Sequence, residues 1–373
     1  MKRAGFIVFI VSLFMIRIVA LGKEDTGEII EDIISDSDMY EYIKDLDEHL
    51  QKGGNKSVEE MCKELINNKD YGFMDFFSEV LDGVTVDFTD YKTMIMNIMF
   101  IGFSAALFSL VTMAFSKNNV GEYGFYAAYT MMLVVIIGAF AKASELVVAL
   151  IKNVITFMKV VTPAYSISVV CSGESAYGAG IGQLMLIMCA AVGMIFINVL
   201  VSGIKFYLVL GMSNSMLSVD KFSHLSDMVG KGVGWIMRSV FVFFCGISIL
   251  QKMFWPAFDS IKNTVAIKTM SVIPVVGTTM NAAGQTVLGA FMVLKSSIGI
   301  LAVLFIVSIS VVPIVKVFLY YLSLSLVSVI IQPVCDKRLI KSIKIAIKAM
   351  GLLVGLMLVV TGLFIITLAI ATG

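Results

Sequence analysis

The sequence predicts an all-α, polytopic helical integral membrane protein with a short N-terminal helical segment outside the cytosol. Hydrophobic residues make up 58% of the 373-residue chain and charged residues 15%, whereas soluble domains carry about 25% charged residues. A chain this apolar cannot cover itself with polar surface, so most of it must face lipid or other membrane segments. The composition excludes a collagen, a disordered chain, a disulfide scaffold and a nucleic-acid-binding protein.

Charge divides the chain into an acidic and a basic part. Residues 23–90 hold 20 acidic and 6 basic residues, a net charge of −14, whereas residues 91–373 hold 7 acidic and 19 basic residues, a net charge of +12. We interpret residues 91–373, which contain the long apolar runs, as the transmembrane domain.

The first 22 residues have the pattern of a secretory signal peptide. Lys2 and Arg3 give a positive start, Ala4–Ile16 is apolar, and Ala20-Leu21-Gly22 presents small residues before a cleavage point. A retained membrane anchor is the alternative. With either, residues 23–90 are expected outside the cytosol.

The acidic segment, residues 23–90, is predicted to form short helices. Ser57 and Glu60 fit a capping box that opens one helix, and Gly53-Gly54 and Gly72 separate the helices. A core this small is marginal alone. We favour a helical cap that lies on the membrane domain, because charge runs usually only solvate a surface. The alternative is a docking module for an extracytoplasmic partner.

Six firm membrane spans and up to eight in all are predicted from apolar runs of sufficient length. The firm spans are Thr93–Phe115, Tyr123–Ala141, Tyr177–Val201, Trp235–Leu250, Ile298–Val315 and Met350–Ile370; the weaker ones are Ile204–Val219 and Val317–Ile331.

Two further stretches carry too many charges for a simple span. Lys142–Glu174 and Lys252–Lys295 are predicted to be interfacial helices or re-entrant hairpins, with breaks at Pro163 and Pro274. Eight spans would place Lys252–Lys295 and Asp336–Lys348 on the cytosolic side, the C-terminus outside and Lys142–Glu174 outside, in agreement with the basic character of Asp336–Lys348.

The basic stretch is itself predicted to be an in-plane helix on the cytosolic leaflet. The lysines share one helical face and Leu339, Ile343 and Ile347 take the opposite face, an arrangement typical of binding to anionic lipid. Its basic residues are Lys337, Arg338, Lys341, Lys344 and Lys348.

Catalytic and cofactor motifs are lacking in the sequence. There is no phosphate-binding glycine loop, no G-x-S-x-G and no C-x-x-C, and neither His49 nor His224 has metal-ligand spacing to a partner. We therefore expect no enzyme activity, no cofactor and no bound metal. Lys205, Arg238, Lys295 and Lys316 are charged groups in or beside spans; they are functional candidates by position, but each lies close enough to a span end to snorkel.

Glycine is frequent in the apolar half, with Gly178, Gly180 and Gly182 opening one span and Gly351 and Gly355 lying in the last. We interpret these residues as sites of close helix packing and not as a dimer motif.

An ordered set of motifs in the second half resembles a known family. Ile273-Pro274-Val275-Val276-Gly277 is followed by Leu294-Lys295 with Gly299, then by Pro313 with Lys316, and then by Gln332-Pro333 and Asp336. This order and spacing resemble the stage III sporulation protein AE family of endospore-forming bacteria. Ser296 departs from the family pattern, in which asparagine follows the lysine.

The resemblance implies a mother-cell membrane protein of a channel or secretion-like apparatus that links mother cell and forespore. Its expected partners are other stage III sporulation membrane proteins, a separate ATPase subunit and, through the complex, a forespore membrane protein, besides the lipid bilayer; nucleic acid is not expected. The alternative function is a stand-alone secondary transporter, which the paired breaks at Pro163 and Pro274 would suit.

The motif residues are the candidate assembly or packing residues. We expect Pro274 and Gly277 to form a corner between two helices, Pro313 to kink a span, and Lys295 to snorkel to the cytosolic surface or pair with an acid on another chain. The full set is Pro274, Gly277, Lys295, Pro313, Lys316, Gln332, Pro333 and Asp336.

Overall fold

The computed structural model describes residues 120–216, 222–270, 277–333, 335 and 337–372, together with residues 92–93, 95–97, 99–100 and 103–104. The predicted signal peptide and acidic segment lie outside these residues. The predicted span Thr93–Phe115 is described at scattered positions between 92 and 104, all of them helical.

Five long helices make up the described bundle: α1 Val120–Cys171, α2 Ser175–Met216, α3 Ser223–Met270, α4 Gly277–Ile331 and α5 Lys337–Thr372. Each contains a stretch long and apolar enough to cross a membrane. No strand occurs among the described residues. The predicted all-α, polytopic membrane fold is confirmed.

The two weaker spans are not separate helices. Ile204 lies inside α2 and Val317 inside α4, and both helices run on without a turn. Gly203, which lies between the two predicted spans, is a packing residue, since a Cβ atom there would lie 3.0 Å from Val233 Cγ2 of α3. The division of each helix into two spans is therefore wrong.

The break predicted at Pro163 is also wrong, because α1 continues through it to Cys171. Pro163 lies on the exposed side of α1, whereas the neighbouring Val161, Thr162 and Tyr165 are buried. Proline removes one helical hydrogen bond, but packing on the opposite side holds the helix together. Membrane helices tolerate proline in this way.

A helix that crosses the membrane has its two ends on opposite sides, and this changes the predicted orientation. If α4 crosses the membrane once, its two ends lie on opposite sides. Lys252–Lys295 and Asp336–Lys348 are then not both cytosolic, which departs from the prediction based on eight spans. If residues 23–90 lie outside and residues 93–115 form a span, as predicted, the turn at 172–174 and the end of α5 would face outward, and the start of α5 would face the cytosol.

We refer to the two ends of the helix bundle as the outer end and the inner end. The outer end comprises the turn Ser172–Glu174 and Thr372, and the inner end comprises the start of α5 at Lys337. The basic start of α5 then remains cytosolic, as the positive-inside rule requires.

Uncharged stretches mark the depth of the membrane. In α4 no charged residue occurs between Lys295 and Lys316, which at 1.5 Å per residue is roughly 31 Å, the thickness of the hydrocarbon core. Phe305 lies halfway between these lysines, and its ring stacks on Phe157 of α1 with centroids 4.3 Å apart. On the depth scale set by these two lysines, Phe157 lies near the middle of the hydrocarbon core.

Helix α5 occupies the centre of the bundle and contacts the other four helices. Its buried residues Leu353, Leu356, Val360 and Leu363 are inaccessible to solvent. Hydroxyl pairs connect it to its neighbours, with Thr361 donating to Ser310 of α4 at 3.1 Å. Such hydrogen bonds between membrane helices contribute about 0.6 kcal/mol each.

Candidate functional site: the two charged ends of the bundle

The turn between α1 and α2 places a carboxylate at the outer end. Gly173 has φ 96°, a conformation that residues with a Cβ rarely adopt. The backbone N–H groups of Gly173 and Glu174 donate to Val170 O and Val169 O, which is a Schellman C-cap. Glu174 precedes α2 but makes no side-chain cap to it, so its carboxylate is available to other helices.

Glu174 forms an ion pair with Lys295 of α4. The Lys295 Nζ–Glu174 Oε2 distance is 2.8 Å, and the side chains are 15% and 33% exposed. Lys295 Nζ also lies 5.6 Å from the centroid of the Tyr177 ring, within the range of a cation–π contact. The buried Tyr177 makes a long hydrogen bond of 3.5 Å to Ala371 O, so α2, α4 and α5 meet around this pair.

The ion pair is made within the chain. This differs from the expectation that Lys295 snorkels to the cytosolic surface or pairs with another chain, and Lys295 lies well inside α4 at the outer end. The sequence could not show that a residue 121 positions away would supply the acid.

A second lysine makes the outer end positive. Lys252 of α3 is half-buried and lies within electrostatic range of both Lys295 and Glu174. The adjacent Gln251 donates from Nε2 to Gly180 O at 3.4 Å. Two ammonium groups therefore share one carboxylate at this point.

Close helix packing by glycine holds the turn in place. A Cβ atom on Gly178 would lie 2.8 Å from Val170 N and 2.9 Å from Ser166 O, both backbone atoms of α1. Ser166 Oγ donates to Gly178 O at 2.6 Å, and a Cβ atom on Gly182 would lie 2.6 Å from the same Oγ. The packing role predicted for these glycines is confirmed.

The glycines of the last span also pack within the chain. A Cβ atom on Gly351 would lie 3.5 Å from Tyr321 Cε2, and one on Gly355 would lie 3.4 Å from Met237 Cε. Gly299 contacts the end of α5, since a Cβ atom there would overlap Thr372 Cγ2. These contacts agree with packing between helices of one chain.

The inner end carries the basic residues at the start of α5. Leu339 and Ile343 are buried, Lys337, Lys344 and Lys348 are exposed, and the amphipathic pattern predicted from the sequence is confirmed. Arg338 and Lys341 are half-buried.

The basic stretch is not a separate in-plane helix, however. It continues without interruption into the span that ends at Thr372, because Ala346, Ala349 and Met350 extend the same buried face. The prediction of an in-plane helix is wrong in this respect.

A buried tyrosine connects the inner ends of three helices. Tyr129 of α1 donates from its hydroxyl to Met212 O of α2 at 2.6 Å and lies 2.9 Å from Ser342 Oγ of α5. All three residues are buried. The basic face of α5 is therefore presented by a fixed scaffold.

The other motif residues are scattered and do not meet at one site. Gly277 begins α4, Pro313 lies inside α4, and Lys316 is half-buried. Gln332 and Pro333 are exposed in the turn after α4. Pro274 and Asp336 lie outside the described residues, so the corner proposed for Pro274 and Gly277 stays a prediction.

Glu174, Tyr177 and Lys252 are site residues that the sequence reasoning missed. The signal available was Ser172-Gly173-Glu174, a short polar interruption between two apolar runs, which is typical of a helix turn. In the described part of the chain, no group of three His, Cys, Asp or Glu residues is arranged to hold a metal ion.

Comparisons with known proteins assign the chain to a family. The family model described as stage III sporulation protein AE matches residues 56–373. The stage III sporulation protein AE of Bacillus subtilis (strain 168) is 21% identical over 265 residues, which cover 71% of this chain and 66% of that relative. No solved structure matches the chain. Because the family model covers most of the sequence, the chain belongs to the stage III sporulation protein AE family.

Proposed function

We propose that this chain is a membrane core or platform subunit of a multiprotein channel, a secretion-like apparatus that links mother cell and forespore during endospore formation. Family membership over residues 56–373 is the observation that carries the proposal. The multi-pass bundle, with charged side chains at both ends, supports a subunit that contacts partners on both sides of the mother-cell membrane.

The basic inner end is the proposed docking surface for a separate ATPase subunit. Lys337, Lys344 and Lys348 are exposed and spaced along three turns of α5, which suits an acidic protein surface. In this proposal the chain has no catalytic role, and energy comes from the ATPase. The outer end and residues 23–90 would face the other stage III sporulation membrane proteins and, through them, the forespore membrane.

Co-purification from sporulating cells tests the proposal. A tagged chain in mild detergent should bring down other stage III sporulation membrane proteins and the ATPase. Replacing Lys337, Lys344 and Lys348 together by glutamine should leave the amount of chain in the membrane unchanged but remove the ATPase, because the charge that attracts it is lost. The matched control replaces the same lysines by arginine, which keeps the charge and should keep the ATPase.

A stand-alone secondary transporter is the alternative to this proposal. The structure gives the transporter less support than the sequence did, since α1 is not broken at Pro163. If the chain purified alone from sporulating cells and moved a solute by itself in liposomes, the platform proposal would be wrong.

A further inference from the structure

One face of α1 carries more charge than the apolar stretches of α4 and α5. This face carries four exposed uncharged residues, Ala149, Pro163, Ile167 and Val170. Its exposed charged residues are Lys142, Glu145, Lys152 and Lys159. By contrast, Lys295–Lys316 of α4 and the stretch after Lys348 of α5 are free of internal charge.

Lys159 lies near the middle of the membrane. It follows Phe157, which stacks on Phe305 at mid-depth, and it lies within electrostatic range of the buried Cys189 of α2. At 1.5 Å per residue, Lys152 is roughly 10 Å further toward the inner end, and Glu145 and Lys142 are near the inner boundary. A lysine side chain can snorkel from the depth of Lys142, but from Lys159 either boundary is about 15 Å away.

Charge at this depth is costly against lipid. A lysine at the centre of a membrane helix is unfavourable against lipid unless it reaches water or an acidic partner. Within the residues that the structure describes, no carboxylate lies within ion-pair distance of Lys152 or Lys159. Residues 91–121, which include the remaining span, contain no Asp or Glu.

Pro163 changes the backbone hydrogen bonding at the same place. It has no N–H, so Lys159 O lacks its usual helical donor. The neighbouring Thr162 Oγ1 donates to Met158 O. In lipid such a carbonyl oxygen is unfavourable, whereas water satisfies it.

The facing helix is irregular at this depth. Val192–Val201 of α2 is a wider π-helix, and a Cβ atom on its Gly193 would lie 3.5 Å from Ile155 Cδ1 of α1. The exposed Asn198 and Lys205 follow on α2 toward the inner end. Segments of π-helix occur mostly at functional positions in helices.

We propose that the face of α1 bearing Lys152 and Lys159 lines a water-filled vestibule, which opens at the inner end, reaches the middle of the membrane and admits small anions. Toward the outer end the same face becomes apolar at Ile167 and Val170, and the vestibule ends there. Toward the inner end the exposed Met131 and Val134 of this face lie beyond Lys142, outside the hydrocarbon core on the depth scale of α4, so the vestibule opens before them. This inference concerns the chain in its membrane and does not rest on the proposed role in sporulation.

Cysteine labelling in native membranes tests the vestibule. Starting from a variant in which the five native cysteines are replaced, single cysteines are placed by Lys159→Cys, Lys152→Cys and Ile249→Cys. Ile249 of α3 is exposed, and the adjacent Ser248 lies 3.3 Å from Thr367 of α5. Thr367 in turn donates to Met188 Sδ at 3.6 Å, next to the Cys189 that lies within electrostatic range of Lys159, so position 249 is a depth-matched control. Membrane-impermeant thiol reagents are added to the medium around inverted vesicles from sporulating cells, because these vesicles expose the inner end of the bundle to the medium.

Cysteines at 152 and 159 should be labelled and the cysteine at 249 should not, because a thiol reacts as the thiolate, which forms in water and not in lipid. With Lys152 still present, an anionic reagent should label position 159 several-fold faster than a cationic reagent of the same size. Absence of labelling at 159 would overturn the vestibule. Labelling at 159 in the purified chain but not in native membranes would also overturn it and would indicate that a partner protein covers this face.

Discussion

Gly178→Val should sharply reduce the amount of folded protein. The new side chain would place its Cβ atom 2.8 Å from Val170 N and 2.9 Å from Ser166 O, and because these are backbone atoms, α1 and α2 must move apart. Overpacking of this kind costs about 1–3 kcal/mol or more, and the Ser166–Gly178 hydrogen bond would be lost as well. The readout is membrane abundance together with thermal unfolding in detergent, followed by the exposure of the buried Cys189.

Gly246→Ala is the matched control. Gly246 is also inside a helix, but a Cβ atom there meets nothing within 4 Å. Alanine at this position should be neutral or stabilise the helix by about 0.5–1 kcal/mol. A Gly178→Val protein as stable as the Gly246→Ala protein would show that α1 and α2 do not pack as described.

Glu174→Gln should destabilise the outer end, because it leaves Lys295 partly buried without its carboxylate and beside Lys252. The expected cost is about 1–3 kcal/mol, between the values for exposed and buried ion pairs. Lys295→Gln should cost a similar amount. The double variant should cost less than the sum of the two, since the second change removes a charge that the first has already left unpaired.

Lys252→Gln provides the control for this pair. It removes a lysine of the same cluster but keeps the pair and relieves repulsion on Lys295, so stability should stay the same or rise. Additive effects of Glu174→Gln and Lys295→Gln, measured by thermal unfolding, would mean that the two side chains do not interact.

The fold class followed directly from the sequence, but the number of helices did not. Apolar runs and the amphipathic start of α5 depend on local pattern, and the structure confirms both. When only neighbouring residues in the sequence are considered, Pro163 and the gap between the spans ending at Val201 and starting at Ile204 look like helix breaks. In the bundle, tertiary packing decides instead, since Pro163 faces outward and Gly203 fits against Val233.

The candidate functional site was predictable only in part, because tertiary packing also decides which charged residues meet. Lys295 was singled out as a charge beside an apolar run, but its partner Glu174 is brought close by the fold of three helices. Likewise, the four charges on α1 are visible in the sequence, whereas their shared exposed face and the depth of Lys159 follow from the packing of α1, including the stacking of Phe157 on Phe305.

The assignment of the outer and inner ends depends on the orientation of the bundle in the membrane. A topology measurement tests this orientation most directly. Reporters that are active only outside the cytosol are fused after Asp90, inserted between residues 271 and 276, and inserted between residues 332 and 336. The account predicts activity at the first two positions and none at the third, because α4 crosses the membrane once. Equal activity at the second and third positions, or inactivity after Asp90, would contradict the account.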